Sequence, residues 1–284
     1  MTDGREAMRN QIRSDKPTPA RMYDYYLDGK DNFAVDRAAV DSMRTEVTQL
    51  LKKAAWENRR FLWRAVDYLA RECGITQFID VGSGLPAVRS THEVAQEVNP
   101  DARVVYVDND PIVLSHGQAL LAKNGNTAIV SADVRDPDSV IDAPGTQRLI
   151  DFEKPVALLF VALFHFILAP GHPQHVPGEP SPAQILAAFR ERVVPGSCVV
   201  ITHGTFEGVT PEDKALIEGV YKGSTSAGVF RSHEEITALF EGWRVVPPGV
   251  VDPWAWPVED TVSPRSSILW GGVGVKDGES GRRD

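Results

Sequence analysis

The sequence predicts an α/β protein, a mostly parallel sheet with helices on both faces, preceded by a helical section. Three observations carry that prediction. From Thr76 onward, short apolar runs alternate with amphipathic stretches. The runs are almost continuously apolar, as strands covered on both faces must be. Upstream of about residue 72, apolar residues recur instead at helical spacing.

Bulk properties set outer bounds. With 284 residues the chain can bury a large core, and 42% apolar with 24% charged residues fits a globular protein, not a disordered one. A net charge of -9 without a long basic run disfavours a nucleic-acid partner. The longest apolar run, 156–164, is too short to span a bilayer, and the N-terminal stretch has no signal-peptide core. Cys73 and Cys198 have no companions at zinc spacing. A cytoplasmic protein with two reduced thiols and no metal is therefore expected.

Residues 1–16 are polar and expected to be flexible. Pro17 and Pro19 precede a short aromatic helix at about 20–27, which Gly29 stops. Val40, Met43, Val47, Leu50, Leu51 and Ala54 continue the helical pattern. It resumes at Phe61, Leu62, Ala65, Val66 and Leu69, with a break expected near Asn58. Together these make a helical cap over 17–74. Strands follow at about 77–81, 103–107, 127–130, 156–162 and 197–202, with helices at 91–98, 111–123 and 183–193. WRVVPPG and SSILWGGVGVK read as two last strands pairing at one edge, joined by a loop rich in Pro and Trp. The ligand-binding domain covers 75–276, and 277–284 is a loose tail.

In an open α/β sheet, ligands sit beyond the carboxyl ends of the strands. The turn Gly82-Ser83-Gly84 falls at such an end, where glycine lets a ligand approach the main chain. Ser90 and Glu93 form a capping box for the next helix. The third glycine of a dinucleotide fingerprint is replaced by Ala87, which disfavours a pyrophosphate cradle. Asp108, ending the second strand in VDNDP with Asn109 beside it, could accept hydrogen bonds from both hydroxyls of a ribose. Asp133, followed by Val134 after the third strand, could meet an adenine amino group, and Asp80 would lie at the far end of such a ligand. Several acidic residues and no triphosphate cradle fit S-adenosylmethionine better than ATP or a dinucleotide.

PTPARMYDYYLDGKDNFAVDR, FIDVGSGLPAVRSTHEVAQ, VVYVDNDPIVLSHGQALL, ADVRDP, VALLFVALFHFI and VPGSCVVITHGT carry a more specific signal. With the terminal strands, they give the chain from about residue 17 to 275 a resemblance to an actinobacterial family of class I S-adenosylmethionine-dependent methyltransferases long catalogued as a domain of unknown function. The resemblance implies a Rossmann-like, seven-stranded sheet with its last strand antiparallel, and cofactor at the first two strand ends. It implies no particular substrate.

Methyl transfer needs alignment more than a fixed catalytic motif. Candidate groups are therefore ranked by position. His165 in LFHFI follows the fourth strand and His203 in ITHGT follows the fifth; either is a candidate base, or simply a histidine bonded to backbone. Tyr23 and Tyr26 are candidates for closing the cap over the cofactor, and Tyr23 for catalysis, while Arg21 or Asp24 would fix the cap or pair with a charged group. His172 and His175 lack a third metal ligand. Residues 223–228 read as a mobile loop, with Arg231 facing an acceptor or solvent. Trp254 and Trp256 read as exposed, serving a pocket or an interface. The fourth strand leads into ALFHF and not an NPPY-type motif, which disfavours methylation of adenine or glutamine amines. A small-molecule acceptor is expected, with oligomeric state open. A non-catalytic cofactor-binding protein and an NAD-dependent oxidoreductase are the alternatives.

Overall fold

The computed structural model describes residues 14–121, 125–257 and 268–278. Most of the expected flexible N-terminus and tail lies outside these residues. Helices α1 (Pro19–Tyr26), α2 (Ala34–Asp41) and α3 (Thr45–Arg71) come first. Strands β1 (Gln77–Val81), β2 (Arg103–Asp108), β3 (Thr127–Ser131), β4 (Ala157–Val161) and β5 (Cys198–Gly204) are parallel neighbours in the order β3-β2-β1-β4-β5. The last strand, β7 (Leu269–Val275), runs antiparallel to β5, and the two-residue β6 (Arg244–Val245) closes the edge beside it. This is the seven-stranded, Rossmann-like sheet that the resemblance implies.

All five residues of β1 and all seven of β5 are buried. Helices on both faces explain why their sequences show no alternation. One face packs Ile79, Val105, Leu158 and Ile201 against Ile185, Phe189 and Phe240. The other packs Phe78, Val104, Leu159 and Val200 against Phe61, Leu62 and Leu69 of α3.

The expected break near Asn58 is absent: α3 is one helix of 27 residues. No glycine or proline interrupts it, and the Asn58 side chain donates to the Tyr23 hydroxyl (2.9 Å) instead of competing for its own backbone. Its first half packs on Met22, Tyr26 and Val40 and its second half on the sheet, so one rod joins cap and sheet. The cap is pinned by a fully buried ion pair. Asp36 accepts from Arg21 Nε (2.7 Å) and from the backbone N–H groups of Thr18 (3.0 Å) and Phe33 (2.8 Å). Arg21 thus holds the cap and does not face a ligand.

Residues 253–257 also depart from expectation. Trp254 is 45% exposed, whereas Trp256 is fully buried, edge-on to Phe61 and Tyr68. Arg64 donates to the carbonyls of Trp256 (2.7 Å) and Pro253 (2.6 Å), tying this segment to the back of α3. The two thiols, distant in sequence, are free neighbours, and the Cys198 thiol is the main influence lowering that of Cys73.

Candidate functional site

The carboxyl ends of β1, β2, β4 and β5 and the loop after β3 open into one cavity of about 310 Å³, roofed by α1 and α3. It lies where strand order reverses between β1 and β4, the position that topology favours for a ligand.

The glycine turn is built by β1 and β2 together. Gly82 and Ser83 donate backbone N–H bonds to Val107 O (2.8 and 3.1 Å), and Gly82 and Gly84 have φ of 69° and 66°. A Cβ on Gly82 would stand 2.6 Å from Leu163 Cδ1, whereas one on Gly84 would meet nothing within 4 Å. Gly82 is therefore required by torsion and packing, while Gly84 leaves its backbone open to a ligand. Gly82→Ala is expected to cost about 1–3 kcal/mol from strain and overpacking, read as a lower urea midpoint; an unchanged midpoint would refute this.

Asp108 reaches the same turn directly. Its Oδ2 accepts from Gly84 N–H and its Oδ1 from Asp110 N–H, both at 2.9 Å. Burial pushes the carboxyl up to about 6, against the pull of those N–H donors. Each oxygen keeps a lone pair for another donor. Asp80 lines the cavity as well, accepts from Thr91 Oγ1 (2.6 Å), and is raised by burial.

Asp133, Val134 and Asn109 line the cavity beyond β3. The Asp133 carboxylate is already engaged: Oδ1 accepts from the Arg135 backbone (2.9 Å) and Nε (3.0 Å), and Oδ2 from Arg135 Nη2 (2.6 Å) and Asn109 Nδ2 (3.3 Å). Burial raises this carboxyl, but the Arg135 bonds outweigh it and leave it low. That saturation leaves no vacant lone pair for an adenine amino group.

Tyr23 and Tyr26 both line the cavity. The Tyr23 hydroxyl donates to Ala55 O (3.1 Å) and accepts from Asn58; burial raises it, so it keeps its proton and is a poor base. Asp24 is a structural anchor, accepting from Asp31 N–H (3.0 Å) and Asn32 Nδ2 (2.7 Å).

The two histidines separate. After β4 the chain turns sharply at Ala162 (φ 55°), and a 3-10 turn, Phe164–Phe166, places His165 in the cavity wall. Burial, aided by the Arg231 charge, holds His165 at about 3, so its ring is neutral at physiological pH. His203 is fully buried and is not among the lining residues. It points from β5 to Arg231, because alternate residues of a strand face opposite sides. Arg231, expected to face an acceptor or solvent, is instead buried and donates to Phe164 O (2.9 Å) and Ile167 O (3.0 Å).

Other lining residues carry no obvious sequence signal. Thr225 and Ser226 belong to the segment read as a mobile loop, and Phe230 follows it; the chain here is pinned by Thr225 N–H on Pro17 O (3.0 Å) and, just past the segment, Val229 N–H on His165 O (2.7 Å). Asn58 and Arg59 line the roof, with Asn58 Oδ1 and Arg59 Nε buried and without partners among the described residues. The polar interruption in the apolar stripe, which predicts a break in α3, marks instead the place where α3 faces the cavity. Neither Trp254 nor Trp256 lines it.

This geometry fits S-adenosylmethionine. Orphaned polar atoms of Asn58 and Arg59 stand on one side, Asp80 is near enough to feel the Arg59 charge, and Asp108 beside the open Gly84 backbone suits a ribose. Among the described residues no helix is long and apolar enough to cross a membrane, and no acidic, histidine or cysteine cluster could hold a metal.

The comparisons with known proteins agree. Residues 5–277 match a family model described as S-adenosyl methyltransferase. A candidate methyltransferase from Thermobifida fusca has a crystal structure with TM-score 0.82 and 42% identity, covering 95% of this chain and 98% of that one. A DUF574 family protein from Streptomyces avermitilis aligns with TM-score 0.83 and 36% identity, covering 93% and 99%. The search of curated proteins returned no match.

Proposed function

The chain belongs to the S-adenosyl methyltransferase family and is an S-adenosylmethionine-dependent methyltransferase, and from that premise we propose how its residues divide the work on a small-molecule acceptor. Family membership decides against the NAD-linked alternative. When bound, the cofactor supplies a methyl group on a positively charged sulfur. Asp108 would accept from the ribose hydroxyls, Gly82, Ser83 and Gly84 would leave room along the backbone, and Asn109 and Val134 would flank the adenine. Asp80 and Arg59 present opposite charges suited to the ammonium and carboxylate of the amino-acid end. Tyr23 and Tyr26 would cover that end from a cap at 17–74, over a binding domain at 75–276. Asp133 serves this reading as the anchor of Arg135 and Asn109.

A small acceptor follows from the size of the cavity and its cover by α1, which leave little room for a macromolecular strand. The net charge of -9 supports the exclusion of nucleic acid, and the two free thiols support a reducing cytoplasm.

The observation that carries the site is Asp108, bonded at 2.9 Å to the open backbone of Gly84. Calorimetric titration with S-adenosylhomocysteine, the demethylated product, tests it. One site per chain is expected at neutral pH, and no binding would sink the reading. The affinity should also depend on pH in one direction. Above about 6 the Asp108 carboxyl is ionised and accepts from two hydroxyls; below it, a proton occupies one oxygen. Binding that requires the ionised form weakens as pH falls, by up to about tenfold per unit. An affinity that is flat or rises between pH 7 and 5 would remove Asp108 from the proposed role.

A further inference from the structure

We propose that the end of the cavity beside β4 and β5 recognises an aromatic acceptor carrying an anionic or carbonyl oxygen, and that His165 Nε2–H is the donor that receives this oxygen. The proposal deepens the methyltransferase reading and rests on it.

Hydrogen bonds around β5 determine where each imidazole proton sits. Arg231 can only donate, so His203 Nε2, 2.7 Å from Arg231 Nη1, is an acceptor. The carbonyl of Gly204 can only accept, so His203 Nδ1, 2.7 Å away, carries the proton. The N–H of the same Gly204 donates to His165 Nδ1 at 3.3 Å. A neutral His165 whose Nδ1 is accepting must carry its proton on Nε2. That nitrogen has no partner among the described residues, and His165 lines the cavity. The donors thus fall in two steps that meet at one residue: Arg231 to His203 to the Gly204 carbonyl, and, on the other side of the Gly204 Cα, the Gly204 N–H to His165 in the cavity wall.

Electrostatics have the same sign. Arg231 is buried and has no ion pair among the described residues; the exposed Glu235 acts on it only at a distance. Besides Arg231, the titratable groups here are His165, His203, Tyr26 and Tyr221. Burial holds both histidines down and raises both tyrosines, Tyr221 to about 12. All four are therefore neutral across the physiological range. The lining carboxylates, Asp24, Asp80, Asp108, Asp110 and Asp133, stand on the cap and at the ends of β1 to β3. The β4–β5 end is thus positive and offers hydrogen-bond donors.

Its walls are aromatic. The Phe166 ring lies 4.3 Å from that of His165, and Phe230 lies nearly parallel to His165, at 16° and 6.1 Å. Phe230 is itself stacked on Phe206 at 3.9 Å, and Tyr221 contacts both Phe166 and Phe230. Gly204 lets Phe230 in, since a Cβ there would fall 2.8 Å from its ring. A planar ring suits such walls. His165 orients and stabilises the acceptor oxygen; with its proton already on Nε2, it does not act as a base.

The test uses the full chain loaded with S-adenosylhomocysteine and two isosteric probes, para-nitrophenol and para-nitrotoluene, at a pH where the phenol is ionised. The phenolate should bind about tenfold more tightly than the toluene, the size of one charge-assisted hydrogen bond. His165→Phe should bring that ratio close to one, and His165→Gln, which retains an N–H, should keep part of it. Nitrogen NMR of histidine-labelled wild-type protein should find the proton on Nε2 of His165 and on Nδ1 of His203, a readout that needs no variant. Equal affinity for the probes, no binding of either by the loaded protein, or a proton on Nδ1 of His165 each overturns the inference while leaving the methyltransferase reading intact. Failure of S-adenosylhomocysteine itself to bind overturns the reading beneath it, and the inference with it.

Discussion

Asp108→Ala is expected to weaken S-adenosylhomocysteine binding by about two to four powers of ten. Two hydrogen bonds from a ribose to a partly buried carboxylate are lost, each worth roughly 1.5–3 kcal/mol. The loss also frees Gly84 N–H and Asp110 N–H, which Asp108 orders at 2.9 Å. Asp108→Asn separates the effects. It retains an acceptor of the same shape without the charge, and should lose roughly tenfold. Melting curves without ligand should differ little between the two variants, because burying the carboxylate carries its own cost. Calorimetry reads both affinities. An alanine variant that binds within about threefold of the parent would show that the cofactor does not use this carboxylate.

The largest effect on stability is expected at Asp36→Ala. Asp36 is fully buried and accepts from Arg21 Nε and from the backbone of Thr18 and Phe33. Removing it leaves a buried guanidinium without its partner, a cost of about 3–5 kcal/mol. For a domain of this size each kcal/mol corresponds to about 2–4 °C, so a drop in Tm of roughly 6–20 °C should appear by calorimetry or circular dichroism. Replacing both partners, Arg21→Met with Asp36→Leu, should recover much of it, since no charge then remains uncompensated. A shift below about 2 °C for the single variant would mean that the pair contributes little. The cap carries Tyr23 and Tyr26 to the cavity, so cofactor affinity should fall alongside stability in the single variant.

Much of the fold was legible because buried parallel strands leave a continuous apolar signature. QFIDV and RVVYVD are such runs, and the observed β1 and β2 match their expected bounds to within one residue. The capping box at Ser90–Glu93 was equally legible, since a cap is a contact between residues three apart. The glycine turn and Asp108 could be identified separately from their places at strand ends. Their direct bond could not, because it spans 24 residues and depends on β1 and β2 lying side by side.

Long-range partners account for the misreadings. The polar pair Asn58–Arg59 looked like a break because nothing local shows that Tyr23, 35 residues earlier, would engage Asn58. Arg231 looked solvated because its partners, Phe164, Ile167 and His203, lie 28 to 67 residues away. Trp256 looked exposed for want of Phe61 and Tyr68.

The sequence by itself determined the α/β class, the placement of the core strands and the acidic, glycine-turned strand ends that suit a nucleoside, all of which rest on local periodicity and chemistry. Only the tertiary structure decided which histidine reaches the cavity, which proton it carries and which residues wall the acceptor end. Those properties arise where β4, β5, α3 and the segment before Arg231 meet, and a proton's place on an imidazole is set by partners that only folding brings within hydrogen-bond distance.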